Sequence, residues 1–198
     1  MPGAELPAGP GRLIVISGPS GVGKDTVLRE LFTLDPRLRY SVSYTTRPPR
    51  PDERDGAAYS FVDDGTFMRM VESGEFLEWA VVYGHKYGTS LQRVRDALER
   101  GDDVVLKIDT QGAARVREQL SGQAIYVFLL PPAAEELRRR LLERATEDTA
   151  DLELRYATAV SELAEKDRYD HQVVNDDVGR AAREILRIIR THRGTINR

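Results

Sequence analysis

The chain has 198 residues, 40% of them hydrophobic and 31% charged, enough to bury one core without requiring a second full domain. A formal net charge of -3 gives no bulk attraction to nucleic acid or to an anionic membrane, so basic residues matter here by local placement. With no cysteine, and only His85, His171 and His192 as soft ligands far apart in the chain, disulfides are excluded and a structural zinc site is disfavoured.

Residues 1–11 read as a tail, too rich in Pro and Gly and too poor in apolar residues for a signal peptide. No run approaches a transmembrane length, and the expected compartment is the cytoplasm. From residue 12 onward, short apolar runs alternate with amphipathic segments, the pattern of an α/β fold with a parallel sheet flanked by helices. The run 13–17 is a predicted strand, and Val27, Leu28, Leu31 and Phe32 make 25–34 a predicted helix. Residues 40–87 have another texture: alternating pieces at 40–43, 59–62 and 76–82, broken by Pro48, Pro49, Pro51 and Gly56, suggest a small mixed lobe inserted into the core. Strands follow at 104–108, 124–130 and 171–174, alternating with helices at 111–119, 133–144, 151–166 and 178–191. The last helix carries Ala182, Ile185, Leu186 and Ile189 at core spacing.

Three constellations carry chemistry. Between the first strand and the first helix stands the loop Gly18, Pro19, Ser20, Gly21, Val22, Gly23, Lys24. Its glycines let the backbone curl with N–H groups inward, ready to hold phosphate oxygens at a helix N-terminus, and Lys24 adds a point charge. It reads as the phosphate cradle of a nucleoside triphosphate site. The strict pattern places a Ser or Thr after the lysine to ligate Mg²⁺, whereas this chain has Asp25 there and Thr26 one place later. The second constellation is the proline-stiffened segment with Ser43, Thr45, Thr46, Arg47 and Arg50, whose forked guanidiniums suit a second phosphate. Its plain alternative is a solvated Pro-rich loop. The third, Arg138, Arg139, Arg140, Arg144 and then Arg155, looks like a mobile lid that brings guanidiniums over a phosphate chain; for Arg138 or Arg139 a solvated helix face is the competing reading.

These stretches fall in order with Gly56, Tyr59 and Phe61; Phe76, Glu78 and Trp79; Tyr87, Gly88 and Thr89; Ile108, Asp109, Gln111 and Gly112; Pro131 and Pro132; and Asn175, Asp176 and Asp177. In that order and approximate spacing the chain closely resembles the guanylate kinase family over residues 12–191. The resemblance implies the P-loop nucleoside monophosphate kinase fold, with a core of residues 12–39, 90–132 and 165–191, a GMP-binding lobe at 40–89, a helical lid at 133–164 and a tail at 192–198. It implies Mg²⁺-dependent transfer of the γ-phosphoryl group of ATP to GMP, giving ADP and GDP in purine nucleotide metabolism. The implied partners are these small molecules, with neither nucleic acid nor membrane.

Carried over position by position, the resemblance assigns Gly18, Pro19, Ser20, Gly21, Val22, Gly23, Lys24, Asp25, Thr26 and Asn175 to ATP. Ser43, Arg47, Arg50, Tyr59 and Tyr87 are matched to the GMP phosphate, and Glu78, Thr89 and Asp109 to guanine. Lys24, Arg47, Arg140, Arg144 and Arg155 are the implied catalytic set, with Asp25 the implied metal position. Residue chemistry agrees for Glu78: guanine shows adjacent N–H donors at N1 and N2 that a carboxylate accepts and adenine does not offer.

Two departures stand out. The lid hinge reads Glu143, Arg144, Ala145 where the family has Gly-Arg-Gly, and Lys107 stands where the family's strand often carries a carboxylate. In one reading Asp25 pairs with Lys107 and ligates Mg²⁺ directly or through water, the acidic group having moved from strand to loop. In the other, Asp25 only favours the helix N-terminus, Lys107 snorkels to solvent, and Thr26 or water serves the metal. Two further functions stay open: a guanylate-kinase-like interaction module, against which Lys24, Arg140, Arg144 and Arg155 argue, and a related kinase for another small phosphate ester.

Overall fold

The computed structural model describes residues 11–51, 53–57, 59–120, 122–144 and 149–194. In chain order the elements are β1 (Leu13–Ser17), α1 (Lys24–Leu34), β2 (Leu38–Tyr40), β3 (Tyr44–Thr45), β4 (Ser60–Phe61), α2 (Asp64–Glu72), β5 (Phe76–Val82), β6 (His85–Ser90) and α3 (Leu91–Glu99). Then come β7 (Asp103–Lys107), α4 (Thr110–Gln119), β8 (Ala124–Leu130), α5 (Ala134–Arg144), α6 (Thr149–Ala164), a 3₁₀ turn (Lys166–Arg168), β9 (His171–Val174) and α7 (Val178–Gly194). One sheet has five strands in the order β2-β7-β1-β8-β9 and the other four in the order β4-β3-β6-β5. Among the described residues no helix is long and apolar enough to cross a membrane.

The chain divides into two contact-dense units. The first takes in residues 11–13, Leu38–Leu106 and Gln111–Ala124. Here β2 runs parallel to β7, with Leu38 opposite Asp103 and Tyr40 opposite Val105. The smaller sheet is built around a hairpin of β5 and β6, closed by Tyr83 and Gly84, both at positive φ as a tight two-residue turn requires. Trp79 faces Gly88 across this hairpin. A Cβ on Gly88 would sit 2.8 Å from the Phe76 ring, so the strand needs glycine there. α2 starts where the Asp63 carboxylate accepts the Thr66 N–H at 2.8 Å, and it buries Phe67, whose ring meets those of Phe76 and Trp79.

The second unit takes in Ile14–Arg37, Lys107–Thr110 and residues 125–194. β1 is buried at every position, as a strand of a sheet covered on both faces must be. β8 pairs in parallel with β9, from Val127 opposite His171 to Leu130 opposite Val174. α1 buries Val27, Leu28 and Leu31 and packs on α7, whose Ala182, Ile185, Leu186 and Ile189 are buried as their spacing predicts. Leu137 and Leu141 of α5 pack with Tyr156, Ala159 and Leu163 of α6.

Strands 13–17, 76–82, 124–130 and 171–174 coincide with the predicted ones, while 104–108 lies one residue early, at Asp103–Lys107. The predicted piece 40–43 is no strand. β2 ends at Tyr40, Ser41 gives one more bond, N–H to Val105 O at 3.0 Å, and the chain then leaves the edge to begin β3 at Tyr44. The piece 59–62 shortens to Ser60–Phe61, and β6, α2 and α3 were not anticipated. The helix expected over 151–166 spans Thr149–Ala164 and gives way to the 3₁₀ turn, and the last helix runs to Gly194 rather than 191.

Candidate active site

In the second unit, β1 ends in the loop and α1 begins at Lys24, with Gly18, Gly21 and Gly23 all at positive φ. Gly23 is the N-cap in a left-handed conformation and contributes no side-chain cap, which leaves the first-turn amides of α1 for another acceptor. A Cβ at Gly23 would lie 2.6 Å from Asn175 Nδ2, so this position tolerates only glycine. Three side chains grip the loop. The buried Asn175 donates from Nδ2 to Val22 O at 2.7 Å, and Arg140 donates from Nη1 to the same oxygen at 3.1 Å. Glu162 of α6 accepts the Ser20 N–H at 2.9 Å.

Lys24 folds back into the loop, donating from Nζ to Gly18 O at 2.5 Å and to Pro19 O at 3.1 Å. Burial pushes its ammonium below the ordinary value, the Glu162 carboxylate opposes that, Lys107 adds to the lowering, and Asp25 and Asp109 oppose it. Lys24 is thus a half-buried cation among carboxylates, the setting in which an incoming phosphate chain finds a ready counter-charge. Arg140 is anchored by Nε to Glu136 Oε1 at 2.7 Å, and the Arg139 and Arg140 guanidiniums bring the Glu136 carboxyl down to about 2. Arg155 lies half-buried on α6. The Arg144 side chain lies outside the described residues, as do residues 145–148 of the expected hinge.

Next to the loop, Lys107 donates from Nζ to Asp25 Oδ1 at 2.6 Å. Of the two sequence readings, the pairing one describes this geometry: Lys107 is only 13% exposed and does not snorkel to solvent. The donors around Lys24 are hard oxygens, the Asp25 carboxylate, the exposed Thr26 hydroxyl and the Asp109 carboxylate, which is the set Mg²⁺ prefers. Among the described residues no three His, Cys, Asp or Glu side chains are grouped to hold a metal alone. Such a donor set fits an ion carried largely by phosphate oxygens and water.

In the first unit, Glu78 and Thr89 are opposed across β5 and β6, both buried, with the Thr89 hydroxyl donating to Glu78 Oε1 at 2.5 Å. One oxygen of a buried carboxylate is thereby oriented by its neighbour. Ser43 is also buried. Arg47 sits 5.5 Å from the Tyr59 ring centroid, and Tyr59 meets the Tyr87 ring edge-on at 5.8 Å. Burial works against the Arg47 charge, but Glu53 and the Tyr87 hydroxyl raise its pKa above the ordinary value. Arg47 Nη2 donates to both Glu53 oxygens at 2.7 and 2.8 Å, while the exposed Arg50 meets the same carboxylate through its N–H at 2.8 Å.

The predicted residues therefore gather in two places: Lys24, Asp25, Arg140 and Asn175 around the loop, and Arg47, Tyr59 and Tyr87 in one cluster. Asp109 is found in the electrostatic field of Lys24. Sequence reasoning missed Glu53, Glu162 and Arg93. Arg93 bridges the Tyr44 hydroxyl at 2.8 Å and Ser60 Oγ at 3.0 Å, bracing the smaller sheet. Glu162 carried a usable signal, since it lies seven residues after Arg155 and so on the same helix face. Glu53 lies in irregular chain, where no periodicity points to it.

The profile of the Guanylate kinase family matches residues 10–192. The chain is 46% identical to the guanylate kinase of Alkalilimnicola ehrlichii over 189 residues, covering 96% of this chain and 93% of that one. It is 48% identical to that of Rubrobacter xylanophilus over 180 residues, covering 91% and 94%. Among solved structures, guanylate kinase from Anaplasma phagocytophilum superposes with a TM-score of 0.78 at 34% identity, over 92% of this chain and 86% of that one. The SH3-kinase fragment of tight junction protein 3 shares the fold alone, with a TM-score of 0.51 at 15% identity over 96% of this chain and 60% of that one. With a phosphate loop closed around Lys24, a buried carboxylate in the smaller sheet and these matches along nearly its full length, the chain belongs to the guanylate kinase family.

Proposed function

We propose that this protein transfers the γ-phosphoryl group of ATP to GMP, giving ADP and GDP, as a cytoplasmic enzyme of purine nucleotide metabolism that acts on small molecules and on neither nucleic acid nor membrane. The observation that carries this reading is Lys24 held inside a glycine loop by Gly18 O and Pro19 O, because a module kept only for docking has no need of a cation enclosed by such a loop. The loop amides and Lys24 receive the ATP phosphates, and Asn175 and Arg140 keep the loop in shape through Val22 O. Arg47, Arg50, Ser43, Tyr59 and Tyr87 hold the GMP phosphate, and Glu78 with Thr89 reads guanine, with Asp109 as a further carboxylate. Arg140, Arg144 and Arg155 neutralise the transferring group. Asp25, directly or through water, would hold Mg²⁺, which would supply neutralisation of phosphate charge. The acceptor phosphate is already substantially ionised near neutral pH, so alignment and charge neutralisation do the work and no strong general base is required.

Lys24→Ala tests this reading. GMP phosphorylation should fall by on the order of 10²-fold or more while the thermal midpoint stays near that of the parent. A folded variant with near-parental turnover overturns it.

A further inference from the structure

α6 reaches the phosphate loop through one carboxylate. Glu162 Oε2 accepts the Ser20 N–H at 2.9 Å, joining residues 142 apart in the chain. Seven residues earlier on α6 stands Arg155. At 3.6 residues per turn, seven residues come within about 20° of two full turns and span about 10.5 Å, so Arg155 and Glu162 share one stripe of the helix. The neighbouring stripe, Tyr156, Ala159 and Leu163, packs on Leu137 and Leu141 of α5. Leu141 in turn covers the loop: a Cβ on Gly21 would lie 2.9 Å from Leu141 Cδ2. The α5–α6 pair thus seats on the loop at three points, Leu141 over Gly21, Arg140 on Val22 O and Glu162 on the Ser20 N–H.

We propose that Glu162 is a positioning residue, whose bond to the Ser20 N–H sets the rotation and height of α6 and thereby aims Arg155 along the phosphate chain. This rests on the reading of Arg155 as a transition-state arginine. A backbone amide in a phosphate loop is an anion donor, and giving one of them to a helix side chain spends a binding group on alignment. The Val22 N–H is taken by Pro19 O at 3.2 Å, and the nucleotide is served by the other loop amides and the first turn of α1. Burial raises the Glu162 carboxyl, while Lys24 and the Ser20 N–H hold it down. Glu162 is also the leading support for the charge of Lys24 against burial. With the phosphate chain bound, its own negative charge takes over that support, so what kcat reads in the Glu162 variants is the alignment of Arg155.

The test is a double-mutant cycle of Glu162→Ala with Arg155→Ala, with Glu162→Gln as the conservative variant, read as kcat and KM for both substrates and as thermal midpoint. Glu162→Ala should lower kcat by about 10- to 100-fold, with KM for GMP changed by less than about threefold, as misplacing an aligned group does. Glu162→Gln keeps an acceptor for the Ser20 N–H and should recover kcat to within about threefold. On the Arg155→Ala background, Glu162→Ala should cost less than about twofold in kcat, because what it positions is gone. Should Glu162→Ala fail to fold, Glu162→Met, of similar length but with no acceptor, takes its place in the cycle. Unchanged kcat in the variant lacking the acceptor, a Gln variant as impaired as the Ala one, or losses that multiply in full with those of Arg155→Ala each overturn the proposal. Parental kcat in Arg155→Ala overturns it too, and does so by removing the role of Arg155 itself, which tells that failure apart.

Discussion

Lys107 and Asp25 form an ion pair at 2.6 Å, with Asp25 in the first turn of α1, next to the loop lysine. The pair balances two opposed effects on Lys24, since Lys107 lowers its pKa and Asp25 raises it. Asp25 is 66% exposed and Lys107 only 13%, so the cation is the more buried member. As a stabilising contact such a pair contributes at most about 1 kcal/mol. Its effect lies in local charge. Asp25→Ser removes a carboxylate from beside Lys107 and the metal position and should raise the Mg²⁺ concentration for half-maximal rate severalfold. Asp25→Ser with Lys107→Asp restores an acidic group there and should recover much of the loss. The same order should appear in Mg²⁺-dependent nucleotide binding measured by calorimetry. Effects that simply add show that the two residues act independently.

Glu78 sits buried in β5 with one oxygen fixed by the Thr89 hydroxyl. Glu78→Gln replaces an acceptor oxygen with an N–H donor facing the guanine N–H groups, so kcat/KM for GMP should fall by on the order of 10²-fold. Steady-state rates with GMP and AMP check this. Unchanged selectivity would move the guanine reader to another residue.

The pieces legible in the sequence were those with period or motif behind them. β1 and β8 appeared as near-continuous apolar runs, and α7 as a stripe of four core residues, because burial on a helix or a two-sided sheet leaves that mark. The loop was legible from its glycines and lysine at fixed offsets, and the pairing of Asp25 with Lys107 from the family resemblance, which sets that strand position beside the loop. β6 was hidden, since its His85, Lys86 and Gly88 do not look like a strand, and Gly88 is explained only by the Phe76 ring across the hairpin. α2 and α3 were hidden because each is short and its N-cap, Asp63 or Ser90, stands in a polar stretch that also reads as a turn. Glu53 stands in irregular chain, where no periodicity announces its bonds to Arg47 and to the Arg50 N–H, and Glu162, though on the Arg155 face of its helix, reaches the loop only through the Ser20 N–H.

Asp35, at the C-terminus of α1, offers a pH test of the second unit. Its carboxylate is 3% exposed and accepts from Arg37 Nε at 3.0 Å, Arg37 Nη2 at 2.9 Å and Arg193 Nη1 at 3.0 Å. The Arg37 guanidinium foremost, with Arg193, holds the carboxyl far below the usual carboxylate range, against the effect of burial. A depressed pKa contributes stability that is complete above the unfolded-state value of about 3.9 and is lost as pH falls below it. Asp35→Asn should therefore lower stability by about 2 kcal/mol at neutral pH and flatten the loss of stability on acidification below about pH 4. Chemical denaturation at pH 7 and pH 3.5 checks both parts, and an acid limb identical to the parent's rules out this linkage.

The assignment stands most directly on one measurement, initial rates with GMP, AMP, UMP and CMP as acceptors at saturating ATP and Mg²⁺. With Glu78 and Thr89 reading guanine, kcat/KM for GMP should exceed that for each of the other three by on the order of 10²-fold or more. Preference for AMP, UMP or CMP, or no turnover of any acceptor by the folded protein, contradicts it.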